Sequence, residues 1–105
     1  MSNPPANPWR GETALVACGR SRVLRPSFAA LVAAEEELGP LFALVERAGA
    51  GQLRLSEMAA LFWHCLADRE GCSRPELSEA VAELGLAACA PVLRGLLGQI
   101  LQGGG

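Results

Sequence analysis

The sequence predicts a mainly α-helical domain, about five short helices packed around a central apolar one, with a β-hairpin before them. Three observations carry that expectation. Met58 to Ala67 contains one polar side chain, His64, and a helix apolar on nearly every side belongs in the middle of a domain. ETALVA and SRVLR flank Cys18-Gly19, two short strand-like runs around a two-residue turn. Gly39-Pro40, Gly49-Ala50-Gly51, Gly71 and Gly85 then divide the remaining chain into pieces of helix length.

The 105 residues suffice for one domain, expected over 11–102, with 1–10 a flexible tail and 103–105 a disordered end. Half the residues are hydrophobic and 19% are charged, which places the chain among folded proteins. It has no lysine, all nine basic residues being Arg, and this excludes a phosphate-loop lysine, a Schiff-base lysine and a lysine general base. Arg10, Arg20, Arg22 and Arg25 face only Glu12 in the first 25 residues, while the rest is acidic and the formal net charge is −2. That balance argues against nucleic acid as the main ligand, although the basic part is suited to an acidic partner. The start is polar and proline-rich and no apolar run reaches about 18 residues, so no secretory or membrane segment is expected and the protein is placed in the cytoplasm.

In chain order, the hairpin occupies 11–25. With Cys18 and Gly19 as the turn, Ala17 faces Arg20 and the register runs back to Glu12 facing Arg25. Ala14, Val16 and Val23 then share one face, Leu15 and Leu24 the other. The helical part, 27–102, opens at Pro26-Ser27 with a helix from Phe28 to Leu38, whose expected buried stripe is Phe28, Leu31, Val32 and Leu38. Glu35 falls on that stripe and is read as a structural carboxylate bonded to an Arg or a loop backbone. A short helix from Leu41 to Ala48 turns Leu41, Leu44 and Val45 inward.

The central helix spans Leu55 to Leu66 with Ser56 as its expected cap. On it Leu55, Met58, Ala59, Phe62, Cys65 and Leu66 share one broad face, with Leu61 and Trp63 on the flanks. Ser73-Arg74-Pro75-Glu76 forms a capping box for a helix to about Leu84, with Leu77, Val81 and Leu84 inward and Glu76, Glu79 and Glu83 outward. The last helix, Leu86 to Leu101, turns Leu86, Ala90, Leu93, Leu97, Ile100 and Leu101 to one side with Leu96 beside them, and has Pro91 in its first turns.

Chemistry-bearing groups are sparse. Cys18, Cys65, Cys72 and Cys89 lack C-x-x-C pairing and are expected as free thiols. Neighbours on a helix point about 100° apart, so His64 and Cys65 are poorly placed to share an ion, and no metal or other cofactor is expected. His64 and Asp68, four apart, have the spacing of a base and its orienter, but Ser56 and Ser73 are accounted for as caps and no nucleophile remains. No catalytic residue and no enzyme activity are therefore expected. A helix-turn-helix around Gly71, with the DNA-binding or regulatory role it would bring, conflicts with the acidic outer face of the following helix.

The order of these motifs adds a resemblance. Val23-Leu24-Arg25, then SFAALVAAEEELG from Ser27, GQLRLSEMAAL from Gly51 and SRPELSEAVAELGL from Ser73 follow one another before an apolar last helix. With W-R-G-E at Trp9 to Glu12, Ala30-Leu31, and Glu35 to Gly39, the chain resembles a family of small tail proteins of gene transfer agents and related tailed phages of alphaproteobacteria. The resemblance covers Trp9 to Leu101.

That resemblance implies a phage-type tail assembly protein of a gene transfer agent or prophage. Family members are described as tail tube proteins and also resemble tail assembly chaperones. One short hairpin offers little strand for a tube wall. The expected role is a chaperone binding the tape measure or tail tube protein before polymerisation, with a structural tube or tail-completion component of the particle as the alternative. The expected contact surface is a groove between the last and central helices, with Leu93, Leu97, Ile100 and Leu101 supplying apolar area and Arg20 and Arg22 steering by charge. Self-association is compatible with so apolar a last helix.

Overall fold

The computed structural model describes residues 13–103. Its elements run β1 (Thr13–Ala17), β2 (Arg20–Leu24), α1 (Phe28–Leu38), α2 (Leu41–Gly49), α3 (Leu55–Cys65), α4 (Arg74–Leu84) and α5 (Leu86–Gln102). The domain is mainly α with an antiparallel hairpin, as the sequence implies.

Alternation and turn chemistry set the hairpin. Its register pairs Ala17 with Arg20, Leu15 with Arg22 and Thr13 with Leu24, with positive φ at both Cys18 (52°) and Gly19 (84°). Positive φ at both turn residues gives the twist that two-residue hairpins prefer. Leu15, Ala17, Arg22 and Leu24 are buried on the inner face, whereas Val16 is exposed. The expected Glu12 partner of Arg25 lies outside the described residues. Beyond β2, the chain leaving α3 adds a short third edge: Ala67 N donates to Val23 O at 3.0 Å, and Arg25 N to Cys65 O at 2.7 Å. This pairing ends α3 at Cys65 and takes Leu66 out of the helix.

α3 lies at the centre, packed against α1 and α4, and buries Met58, Ala59, Ala60, Leu61, Phe62 and Cys65. Burial of Leu61 and Phe62 is complete. Its cap differs from expectation. Arg54 holds the cap position in extended geometry, and the Glu57 carboxylate accepts the Arg54 N–H at 2.9 Å, leaving Ser56 inside the first turn. Leu55, expected inward, is about half exposed because that first turn overhangs the core.

α1 presents a different stripe from the expected one. Ala34 is fully buried with Leu31 and Leu38 beside it, whereas Phe28 is 85% exposed and Val32 lies at the edge. A small residue at the contact lets the α1 backbone approach α3 closely, and this rotates Phe28 outward. Glu35 sits at the margin, accepting the Leu41 N–H at 3.1 Å and so joining α1 to the start of α2.

The Ser73–Glu76 box forms as read, with Ser73 Oγ accepting Glu76 N–H and Glu76 Oε1 accepting Ser73 N–H at 2.9 Å. Gly85, at φ 87°, closes α4 and starts α5, the two helices meeting at a bend of 115°. α5 packs on α4 and β1 through Cys89, Leu96 and Leu97, and Gly95 lies beside Thr13, where an added Cβ would rest 3.4 Å from Thr13 Oγ1 in ordinary contact. Leu86 and Leu101, expected inward, are mostly exposed, because the helix turns its Cys89–Leu96 side to the hairpin.

The thiols also depart from expectation. Cys18 and Cys72 form a disulfide across 54 residues, with Cα atoms 5.5 Å apart. Cys65 and Cys89 stay free and buried, and burial pushes the Cys65 thiol up to about 12 and raises that of Cys89. Thiols so far from ionisation are inert packing groups.

Candidate functional site

The arginines expected to steer partners are engaged within the domain. Arg22, 3% exposed, donates Nε–H to Ala17 O at 3.1 Å, Nη2–H to Cys18 O at 3.0 Å and Nη1–H to Glu70 O at 2.5 Å. Its place opposite inward-facing Leu15 puts it beneath the turn, where its fork fits converging carbonyls. It therefore cannot present charge to a partner. Arg20 is more open but pairs with Asp68 at 2.8 Å. Asp68 in turn accepts the Glu70 N–H at 2.9 Å, and Arg69 stacks over Trp63, 4.4 Å from its ring centroid, while bonding Trp63 O. With the Cys18–Cys72 bridge, these contacts fasten residues 66–72 to the hairpin.

His64 and Asp68 do not meet as base and orienter. α3 ends between them, and His64 Nε2 instead lies 2.7 Å from Glu37 Oε1, while Arg74 bonds the other Glu37 oxygen. Glu37 thus ties α1 to α3 and α4, and the Arg74 guanidinium, then His64, holds its carboxyl below the usual range. The Glu57 carboxyl is likewise lowered, first by the Arg54 N–H and then by Arg47, whose Nη1 is 2.8 Å away. Among the described residues, no group of three or more His, Cys, Asp and Glu is placed to hold a metal ion.

Of the expected apolar contact residues, Leu93 alone lines a cleft between α3 and α5. Leu97 is buried in the core, Ile100 is half-buried against it, and Leu101 is exposed. The cleft has a volume of about 300 Å³ and is walled by Leu55 and Met58 of α3, by Leu86, Ala90 and Leu93 of α5, and by Leu53 and Arg54 before α3. Leu55 and Leu86 are absent from the expected surface because periodicity assigns them to the inward sides of their helices, and Leu53 because it precedes α3, where periodicity gives no facing. Their signal is local: a large apolar side chain in a first turn, with little of its own helix to cover it.

A second groove, about 810 Å³, runs between the hairpin turn and α4. Val16, Ala17 and Gly19 form one side and Glu76, Glu79, Ala80, Glu83 and Leu84 the other. The domain thus carries an apolar cleft and an acidic groove.

Comparison with known families decides the class. A family model described as "Phage tail tube protein, GTA-gp10" matches residues 10–103, nearly the whole chain. The chain belongs to this family. This tail protein matches no curated protein and no solved structure. Membership makes it a phage tail structural or assembly protein of the gene transfer agent type. Among the described residues, the apolar cleft and the acidic groove are two concave surfaces available for contact with other tail components.

Proposed function

We propose that this tail protein is a non-enzymatic tail assembly chaperone, acting in the bacterial cytoplasm on the tape measure or tail tube protein before polymerisation. The observation that supports the reading is the apolar cleft between α3 and α5, where Leu55 and Leu86 are 47% and 65% exposed beside Leu93. Large apolar side chains along a concave wall suit reversible capture of one face of an amphipathic segment. The described strands are the two of the hairpin, short for a wall built from continuous sheet. The family description favours a second reading, a structural tube or tail-completion component that stays in the particle.

Quantitative mass spectrometry of mature particles and of the producing lysate separates the two readings. Chain abundant in the lysate and absent from particles is the expected result. A fixed copy number in particles, in proportion to tail subunits, overturns the chaperone reading. Leu55→Ser with Leu86→Ser tests the surface, since both residues line the cleft and are exposed, so the fold should persist while tail formation falls. Leu97→Ser is unsuitable, because Leu97 lies in the core and its loss costs about 2–5 kcal/mol.

A further inference from the structure

Among the described residues nothing pairs with the outer edge of β1, and that edge borders the acidic groove. The pairs flanking a two-residue turn exchange ladder bonds and alternate with pairs that do not, so Ala14 and Val16 aim their N–H and C=O groups away from β2. On the other side of the hairpin two outward groups are occupied, Val23 O by Ala67 N and Arg25 N by Cys65 O. Among the described residues, no backbone group occupies those of Ala14 and Val16. Both residues are exposed, Val16 by 61%. Natural edge strands are usually blunted by charge, proline or cover. TALVA has neither charge nor proline.

The wall facing Val16 is charged. Glu79 and Glu83, four apart and exposed on α4, have no ion pair among the described residues. Glu76 beside them serves the Ser73 cap, and the nearby Arg22 is spent on backbone carbonyls. An occupant of this groove therefore meets unpaired backbone on one side and uncompensated carboxylates on the other.

We infer that β1 accepts an added strand: an extended segment of a partner protein, with Arg or Lys alternating with apolar residues, that pairs with Ala14 and Val16 while its basic side chains meet Glu79 and Glu83. A segment matching the five residues of β1 spans about 17 Å, and main-chain bonds supply affinity while alternate side chains supply selection. A second copy of this chain is the poorer occupant, because edge-to-edge β1 pairing brings two acidic walls together. The surface is distinct from the apolar cleft, so the inference stands or falls independently of the chaperone reading.

The test uses the full chain and a fluorescent synthetic peptide of about seven residues alternating Arg and Val, in anisotropy titrations and amide hydrogen exchange. The expected result is saturable binding and at least about tenfold slower exchange at Ala14 and Val16 in the complex. Glu79→Arg with Glu83→Arg, or N-methylation of the peptide's pairing amides, should weaken binding at least about tenfold, and a Glu–Val peptide should not bind. No saturable binding overturns the inference. So does binding that ignores N-methylation and leaves Ala14 and Val16 exchange unchanged, which would be charge attraction alone. Concentration-dependent protection of both amides without peptide also overturns it, identifying a second copy as the occupant.

Discussion

Around Phe62 the helices are held by packing, whereas the hairpin and residues 66–72 are held by directed ties. The first region has fully buried Leu44, Leu61, Phe62, Leu77 and Val81, drawn from three helices. The second has a disulfide, a buried arginine on three carbonyls, an ion pair and a cation–π contact. Packing is non-directional and tolerates many side chains of similar volume. Directed ties demand particular atoms at particular places, so the loop region is vulnerable to few substitutions, and severely. A two-stranded hairpin is marginal alone, and the ties compensate for the apolar area it lacks.

Breaking the packed region should have the largest effect. Phe62→Ala is expected to cost about 3–5 kcal/mol, measured by urea denaturation, a large share of a domain's usual stability. A loss under about 1 kcal/mol would mean that the core closes over the site and is looser than the structure indicates.

Breaking the covalent tie comes next. Cys18→Ser with Cys72→Ser, or reduction of the native protein, should cost about 2–4 kcal/mol, because the bridge restrains a long loop in the unfolded chain. Cys65 and Cys89 should resist thiol reagents until the domain unfolds. Equal melting temperatures with and without reductant would remove the bridge from the account of the loop.

Arg22→Met keeps the side-chain stem but strands its three carbonyl partners, at an expected cost of about 2–3 kcal/mol. Amide exchange should quicken in the hairpin and residues 66–72 before it does in α1 and α3. Uniform acceleration across both regions would show that they do not differ in the way proposed.

The smallest effect is a pH dependence. Hydrogen bonds lower the carboxyls of Glu37, Glu57 and Glu76 from the ordinary 4.5. Groups lowered on folding contribute stability fully above 4.5, and it is lost as pH falls through their folded values. Melting temperature should thus drop below about pH 4.5, and Glu76→Gln should flatten that slope by removing one of the three groups. An unchanged slope in Glu76→Gln would show that this carboxylate's cap carries no pH-dependent stability.

The interactions that sequence alone determined span a few residues. Ala17 opposite Arg20, the Ser73–Glu76 box, the stops at Gly39 and Gly85 and the apolar character of α3 all depend on neighbours within a turn, so residue order suffices to specify them. The motif order likewise sufficed for the family, because order along the chain is what a family model compares.

Tertiary structure decided which atoms from distant segments meet. Cys18 finds Cys72, Glu37 finds His64 and Arg74, and Arg22 finds Glu70 only after the loop beyond α3 lies along β2. It also decided facing. Periodicity shows that α1 and α5 have apolar sides, yet Ala34 rather than Phe28 meets α3, and Leu96 rather than Leu101 enters the core. A helix turns toward the neighbour that admits its closest approach, and the shape of that neighbour is set by chain far away in sequence.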